Sequence, residues 1–392
     1  MKKVEIAPAQ RLDCIKEYYF SKKNREIAEL REAGRDIVAL GIGSPDLPPH
    51  ESVIERLCKE AHRPDVHVYQ PYNGAAILRK AFSEWYNKYY NVQLDPASEI
   101  LPLIGSKEGI MHICMTYLNE GDQALIPNPG YPTYRAAVTL SGGECVEYKL
   151  KASNDYLPDF EEMEKQDLSR VKLMLVNYPN MPTGTRSSVE LFEKLVAFAS
   201  KHNILLVHDN PYSFVRNDIR LSILSIAGAK DVALEMNSLS KGHSMAGWRV
   251  GAVCGKKEWL QDILRFKSNM DSGEFYPIQA AAAEALSLGE DWFTQLNDVY
   301  YSREEKGYEL LDALGCTYRK NQAGLFIWAE IPADFEGDCF AFSDKVLKEC
   351  DVFVTPGGIF GSEGTRCIRI SLCVTKEQLQ KAIDKVKANL KK

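Results

Sequence analysis

The segment Ser238-Leu239-Ser240-Lys241-Gly242-His243-Ser244-Met245-Ala246-Gly247-Trp248-Arg249-Val250-Gly251 concentrates reactive chemistry in this chain. Lys241 is flanked by small hydroxyl residues and stands eight positions before Arg249. Desolvation and a nearby cation lower an amine's pKa and make it nucleophilic toward a carbonyl. Arg249 is suited to fork onto a phosphate. Most single lysines are solvated surface charges, and it is the setting that distinguishes this one. Three further places bear on chemistry. The apolar run Ile204-Leu205-Leu206-Val207 closes in His208-Asp209; that aspartate is either a helix-cap or loop residue, or a desolvated carboxylate in need of a cation or several donors. Gly105-Ser106-Lys107 follows another apolar run and opens a helical pattern. Glycine-permitted amides at a positive helix end form an anion cradle, although many such turns bind nothing. Arg369 alternates with Ile368 and Ile370, and is either the solvent side of an edge strand or a bidentate site for a carboxylate.

The elements that must position these residues can be read from apolar periodicity. Strands are predicted at Ile100–Ile104, Gln123–Pro127, Val171–Asn177, Ile204–Asp209, Val232–Met236 and Val250–Cys254, each apolar on both faces as buried sheet strands are. Between several of them lie helical patterns: Ala75, Leu78, Phe82, Trp85 and Tyr89 recur at helical spacing, as do Ile110, Ile113, Cys114 and Tyr117. This alternation predicts an α/β fold with a largely parallel sheet, whose ligands bind beyond the carboxyl ends of the strands. Arg25–Ala33 reads as an exposed helix. Later come helical patterns at Asp298–Leu314, Phe340–Cys350 and Lys376–Leu390, with strands at Leu325–Glu330 and Cys367–Leu372. The expected division is an N-terminal arm over residues 1–42 that belongs to a smaller α+β domain, a large domain over 43–285, and the rest of the small domain over 286–392.

Composition removes several classes. Hydrophobic residues at 45% and charged residues at 26% suit a globular chain of 392 residues with a large core. The 48 basic and 54 acidic residues give a net charge of −6 with no basic block, which argues against a nucleic-acid partner. No apolar run approaches the roughly 18 residues that span a bilayer, and Met1–Gln10 has no signal-type apolar segment. The ten cysteines include no C-x-x-C pair and read as reduced core cysteines of a cytoplasmic protein. No H-E-x-x-H occurs and no metal is expected. No G-x-G-x-x-G follows a predicted strand, so nicotinamide chemistry loses its main support.

Taken together, these residues resemble the pyridoxal-phosphate-dependent aminotransferases of class I/II, fold type I. Ser238–Gly251 is similar to that family's lysine signature. Gly43-Ser44-Pro45-Asp46, Gly105-Ser106-Lys107-Glu108, Pro129-Gly130-Tyr131-Pro132, Asn177–Gly184 and Asp209–Tyr212 occur in the family's order. Leu40–Pro48, Gly105–Ile113 and Ser268–Gly273 most resemble LL-diaminopimelate aminotransferases and their relatives.

The resemblance implies pyridoxal 5'-phosphate as cofactor, held by Lys241 as a Schiff base, with Lys241 then moving the proton between carbons. It implies that Asp209 keeps the ring nitrogen protonated, that Tyr212 donates to the ring hydroxyl oxygen, and that Tyr131 stacks on the ring. The phosphate would take Ser106, Lys107, Ser238, Ser240 and Arg249, with Tyr69 reaching in from a second subunit. Arg369 and the Gly43 backbone would take the substrate α-carboxylate. A two-fold homodimer with the site at its interface follows.

Three positions depart from the family's pattern. Met181 stands before Pro182-Thr183-Gly184 where an asparagine that donates to the ring oxygen is usual, with Asn180 one place earlier. Gly242-His243 follows the lysine, and His243 is expected to pack or to donate indirectly. Pro211 lies between Asp209 and Tyr212 and removes an amide donor. The expected reaction is amino transfer between an α-amino acid and a 2-oxo acid, and β-elimination as in carbon–sulfur lyases is the alternative on the same fold. A cofactor-keeping sensor would need an added DNA-binding domain, and only about 40 residues precede Gly43. For the substrate side chain two readings stand. Lys107 would meet a distal carboxylate, or Tyr18, Tyr19 and Phe20 would fold over an aromatic or longer side chain.

Overall fold

The computed structural model describes residues 5–390 apart from Lys16. Met1–Val4, part of the stretch read above for an export signal, lie outside the described residues, as do Lys391 and Lys392. Strand β1 (Val38–Ala39) precedes the seven strands of the main sheet: β2 (Ile100–Leu103), β3 (Gln123–Asn128), β4 (Glu144–Lys149), β5 (Val171–Val176), β6 (Leu205–Asp209), β7 (Ala233–Ser238) and β8 (Gly251–Cys254). Their spatial order is β2-β8-β7-β6-β5-β3-β4. Neighbours from β7 through β4 run parallel, while β8 lies antiparallel to both β7 and β2. The mostly parallel α/β sheet read from the sequence is therefore present, with one reversed strand near its edge.

Both faces of this sheet are buried. Met174 and Val176 of β5 and Leu206 of β6 join one core cluster, whereas Leu173, Leu175 and Val207 join the cluster on the opposite face. This is the period-two alternation of a strand covered on both sides, which is why these segments read as continuous apolar runs. The covering helices end where their sequences say they should. Ser188 caps the helix Val189–His202 by accepting from the Leu191 amide, and Asn203 closes it in the left-handed conformation.

The remaining strands form a second sheet in the order β12-β13-β10-β9, made of β9 (Thr317–Tyr318), β10 (Phe326–Glu330), β12 (Thr355–Pro356) and β13 (Cys367–Ser371). Strand β11 (Val352–Phe353) pairs in parallel with β1, tying the N-terminal arm to this C-terminal region. Strand β13 lies between β12 and β10, so the edge-strand reading of Arg369 is removed: the residue is buried. The N-terminal helix spans Tyr19–Glu32, earlier than the Arg25–Ala33 expected. Phe20 lines the cavity described below, whereas Tyr19, expected to fold over the site with Tyr18 and Phe20, instead packs against the cluster of Ile27, Leu347 and Phe353 and anchors the arm. All ten cysteines are free; seven are buried, Cys145 is half-buried, and Cys14 and Cys58 are exposed, correcting their expected core location.

Candidate active site

The carboxyl ends of β5, β6 and β7 open on a cavity of about 500 Å³. Eleven of the expected site residues line it: Gly43, Ser106, Lys107, Tyr131, Asp209, Tyr212, Ser238, Ser240, Lys241, Arg249 and Arg369. Tyr69 does not. It lies in the connection after the helix Glu51–Ala61, is 90% exposed, and is absent from the lining of its own chain's cavity.

Asp209 closes β6 as a buried residue. Its Oδ2 accepts from the Tyr134 hydroxyl at 3.0 Å, while its Oδ1 is buried with no partner among the described residues. Burial pushes its pKa up to about 6, against the opposing pull of the Tyr134 hydrogen bond and of the charges of His208 and Lys241. Asn177, just past β5, donates to the Asp209 carbonyl at 2.7 Å and fixes the spacing of the two strand ends.

Lys241 sits in the short helical turn after β7. Burial lowers its pKa to about 8, with the Arg369 and Arg249 cations acting in the same direction and Cys373 and Asp209 opposing. Its Nζ donates to the Gly43 carbonyl at 2.5 Å. Glycine is required at Gly43 by close approach, since a Cβ there would stand 2.2 Å from the Phe326 ring.

The helix Ser106–Tyr117 starts at the cavity with no side-chain cap, leaving its first amides to other acceptors. Its N-cap, Gly105, has φ +82°, and a Cβ would meet the Arg249 guanidinium at 2.1 Å. Arg249 Nη1 donates to the Ala246 carbonyl at 2.9 Å and to Ser240 Oγ at 3.4 Å. Amides, hydroxyls and a guanidinium thus converge where a dianion is best held. Behind this cradle, ligand-capable atoms of Glu108, His112 and Asp271 lie within 4.8 Å of one another. The Lys267 ammonium bonds both Asp271 oxygens at 2.7 and 2.8 Å, so a cation of the chain itself already meets that cluster.

Arg369 is fully desolvated among aromatic rings, with its guanidinium carbon 3.7 Å from the centroid of Phe326, 4.7 Å from Phe360 and 5.8 Å from Phe20. Nη2 donates to the Gly41 carbonyl at 2.9 Å, Nη1 contacts the Met181 sulfur at 3.3 Å, and Nε is buried without a partner among the described residues. Burial lowers its pKa to about 10. A charge buried this deeply calls for an anion. The unpartnered Asp209 Oδ1 and Arg369 Nε, with the uncapped helix and the Gly105 cradle, fit a group having a basic ring nitrogen and a phosphate, beside a substrate carboxylate.

The departures also have a structural reading. Asn180 does not replace the missing donor: its amide donates to the Asn177 carbonyl and its oxygen accepts from Thr183, while Met181 faces the cavity. His243 packs between Trp85 and Phe293 at 5.1 and 5.5 Å, and burial lowers its pKa to about 3, which makes it a neutral packing residue. Tyr134, Phe326 and Phe360 were not singled out from the sequence, and Asn177 was named only as the end of a predicted strand and the first residue of the Asn177–Gly184 motif, with no role given. For Tyr134 the available signal was its three-residue spacing from Tyr131 at a helix start.

The sequence profile described as aminotransferase class I and II matches residues 35–386. The chain is 39% identical to the LL-diaminopimelate aminotransferase of Moorella thermoacetica over 98% of each chain. It is 40% identical to that of Dehalococcoides mccartyi, also over 98% of each. Among solved structures, substrate-bound BacF from Bacillus subtilis superposes with TM-score 0.93 at 35% identity, covering 98% of each chain. An aspartate aminotransferase mutant from Thermus thermophilus gives TM-score 0.91 at 26% identity, covering 98% of this chain and 100% of that one.

Proposed function

We propose a division of labour among these residues from the premise that the chain belongs to the class I and II aminotransferases. It is a pyridoxal-phosphate-dependent enzyme that moves an amino group between an α-amino acid and a 2-oxo acid, and elimination is not favoured by its relatives. When bound, the cofactor supplies the carbonyl carbon that takes the amino group and a ring that withdraws electrons from the substrate. Lys241 acts as the base that takes the proton from the substrate Cα and returns it elsewhere, a task suited to an amine whose pKa is about 8. Asp209 would keep a proton on the ring nitrogen through its Oδ1, which has no partner among the described residues, and Tyr212 would donate to the ring hydroxyl. Tyr131 would cover the ring, while the Ser106 and Lys107 backbone amides with Ser238, Ser240 and Arg249 would hold the phosphate. Arg369 binds the α-carboxylate beside the Gly43 backbone.

For the donor we propose an α-amino acid whose extended side chain ends in a second carboxylate, of the diaminopimelate kind named by the relatives. The observation that carries this is Lys107. Its ammonium stands at the exposed rim of the cavity, 5.5 Å over the Tyr18 ring, while the Arg369 and Arg249 cations are engaged deeper within. Substrate profiling of the wild type and Lys107→Met tests it. The second carboxylate predicts that KM rises about two- to fivefold for dicarboxylic donors alone, the scale of a solvent-exposed ion pair. If phenylalanine-like donors are preferred and the variant changes nothing, Tyr18, Phe20 and Phe360 read an aromatic side chain instead.

We also propose a cytoplasmic homodimer. Ten unpaired cysteines suit a reducing compartment. Val68, Tyr69, Tyr72, Met270 and Phe275 expose apolar surface that a second copy would cover. If Tyr69 serves the partner's phosphate, mixing Tyr69→Ala with Lys241→Ala protomers restores activity that neither variant has alone. No restoration on confirmed subunit exchange would remove Tyr69 from the site.

A further inference from the structure

Directly beneath the Asp209 strand end lies a pair that none of these roles uses. His208 of β6 and Glu235 of β7 are partners in the parallel register, and neither has any exposed side-chain surface. His208 Nδ1 is 2.8 Å from Glu235 Oε2, and His208 Nε2 is 2.9 Å from the Tyr178 carbonyl. The same Glu235 Oε2 accepts the Ile223 amide at 2.9 Å.

The hydrogen count is informative. A peptide carbonyl only accepts, so Nε2 must carry a hydrogen. Nδ1 then faces a carboxylate, which when ionised also only accepts. The contact therefore requires a second proton, on Nδ1 or on the carboxyl. An Oε2 that also takes a backbone N–H is best served by an anion, since charge-assisted bonds are the stronger ones. The groups facing the pair are Tyr86 and Tyr90 of the helix Ala76–Tyr90, Cys254 of β8 and the Phe192 ring. Tyr86, Tyr90 and Cys254 are held protonated by burial and so supply no competing anion. Arg220 is the cation whose field reaches Tyr90.

We infer that His208 and Glu235 form a buried imidazolium–carboxylate pair whose positive end sits one residue behind Asp209 and positions it as an anion for the cofactor's ring nitrogen. Successive side chains on a strand face opposite sides, so His208 does not touch the cofactor; it acts through the field at Asp209, and is a positioning residue. A cation one residue away favours the charged carboxylate, in line with the lowering that His208 exerts on Asp209. The inference rests on the Asp209 role proposed above.

Nitrogen-15 spectra of histidine-labelled protein, with and without cofactor at pH 8.5, test it. The expected result is an imidazolium signal, with both ring nitrogens protonated, that vanishes in His208→Gln and becomes that of a neutral ring in Glu235→Gln. Glutamine suits that neutral ring, because its amide can donate to Nδ1. Pyridoxal phosphate affinity, measured by equilibrium dialysis, is expected to fall about tenfold in Glu235→Gln, the scale of a one-unit pKa change at Asp209. A neutral His208 in the wild type would overturn the inference, as would an imidazolium whose loss leaves the affinity unchanged. If Glu235→Gln fails to fold, the wild-type spectrum decides the charge and His208→Gln decides the affinity. Failure of the Asp209 role itself is distinguishable: Asp209→Asn would then keep full cofactor affinity while the imidazolium signal persists.

Discussion

Removing the Tyr134 hydroxyl probes the electrostatics of the site through folding stability rather than turnover. Asp209 is fully buried, and its pKa rises from 3.8 to about 6 on folding. A carboxyl with a raised folded-state pKa contributes its full stability below the unfolded value, and that contribution is lost as pH rises through the folded value. The difference of about two pH units corresponds to about 3 kcal/mol, lost between pH ~4 and ~6. Comparison of cofactor-free wild type with Asp209→Asn isolates this contribution from that of the other carboxylates. In Tyr134→Phe the carboxylate loses a 3.0 Å hydrogen bond, and a bond to a charged group is worth about 1.5–3 kcal/mol. The stability loss should then deepen by that amount and its upper end move one to two pH units higher, roughly to neutrality or above. Chemical denaturation of the three cofactor-free proteins at half-unit pH steps reads both numbers. A Tyr134→Phe curve parallel to the wild type at every pH would refute the reasoning, because a merely structural loss does not depend on the charge of Asp209.

Other predictions follow from single contacts. Arg369→Lys should raise KM for the amino acid by about 10–100-fold with cofactor affinity unchanged, since an ammonium cannot reproduce the planar fork; steady-state kinetics and dialysis check the split. Gly105→Ala places a Cβ 2.1 Å from Arg249 in a positive-φ residue and should weaken cofactor binding by about 5- to 30-fold through a strain of ~1–2 kcal/mol, read by equilibrium dialysis. Arg216, fully buried, donates to the carbonyls of Gly324, Gln322 and Phe326 and to Glu304. Arg216→Met should cost about 3–5 kcal/mol in denaturant unfolding by orphaning those acceptors. It should also raise KM for the amino acid, because Phe326 is the ring on which Arg369 lies.

The strands of the main sheet were legible because burial on both faces makes them unbroken apolar runs. Strand β4 was not read: Glu144-Cys145-Val146-Glu147-Tyr148-Lys149 alternates charge with apolarity and lies at the sheet edge, half exposed. The reversal of β8 was invisible too, since direction is set by connections rather than by a segment's composition. Lys241, Asp209 and the Gly105 turn were legible because each sits where a strand ends. Arg369 remained ambiguous until its two neighbouring strands were in place. Tyr134 and the His208–Glu235 pair depend on contacts between residues 75 and 27 positions apart, and local pattern carries no trace of such contacts. Met181 implied one fewer donor to the ring oxygen, and Asn180 beside it does not make up the loss, because its hydrogen bonds are consumed within its own loop.

Lys241 is proposed to carry amino transfer at this site. Its most direct test follows the visible band of the cofactor-loaded enzyme on mixing with a single dicarboxylic amino acid in the absence of any 2-oxo acid. The expected result is that the band bleaches, that one 2-oxo acid is released per protomer, and that a second 2-oxo acid restores the band, with none of this in Lys241→Ala. Release of ammonia without restoration of the band, or wild-type exchange by Lys241→Ala, would contradict it.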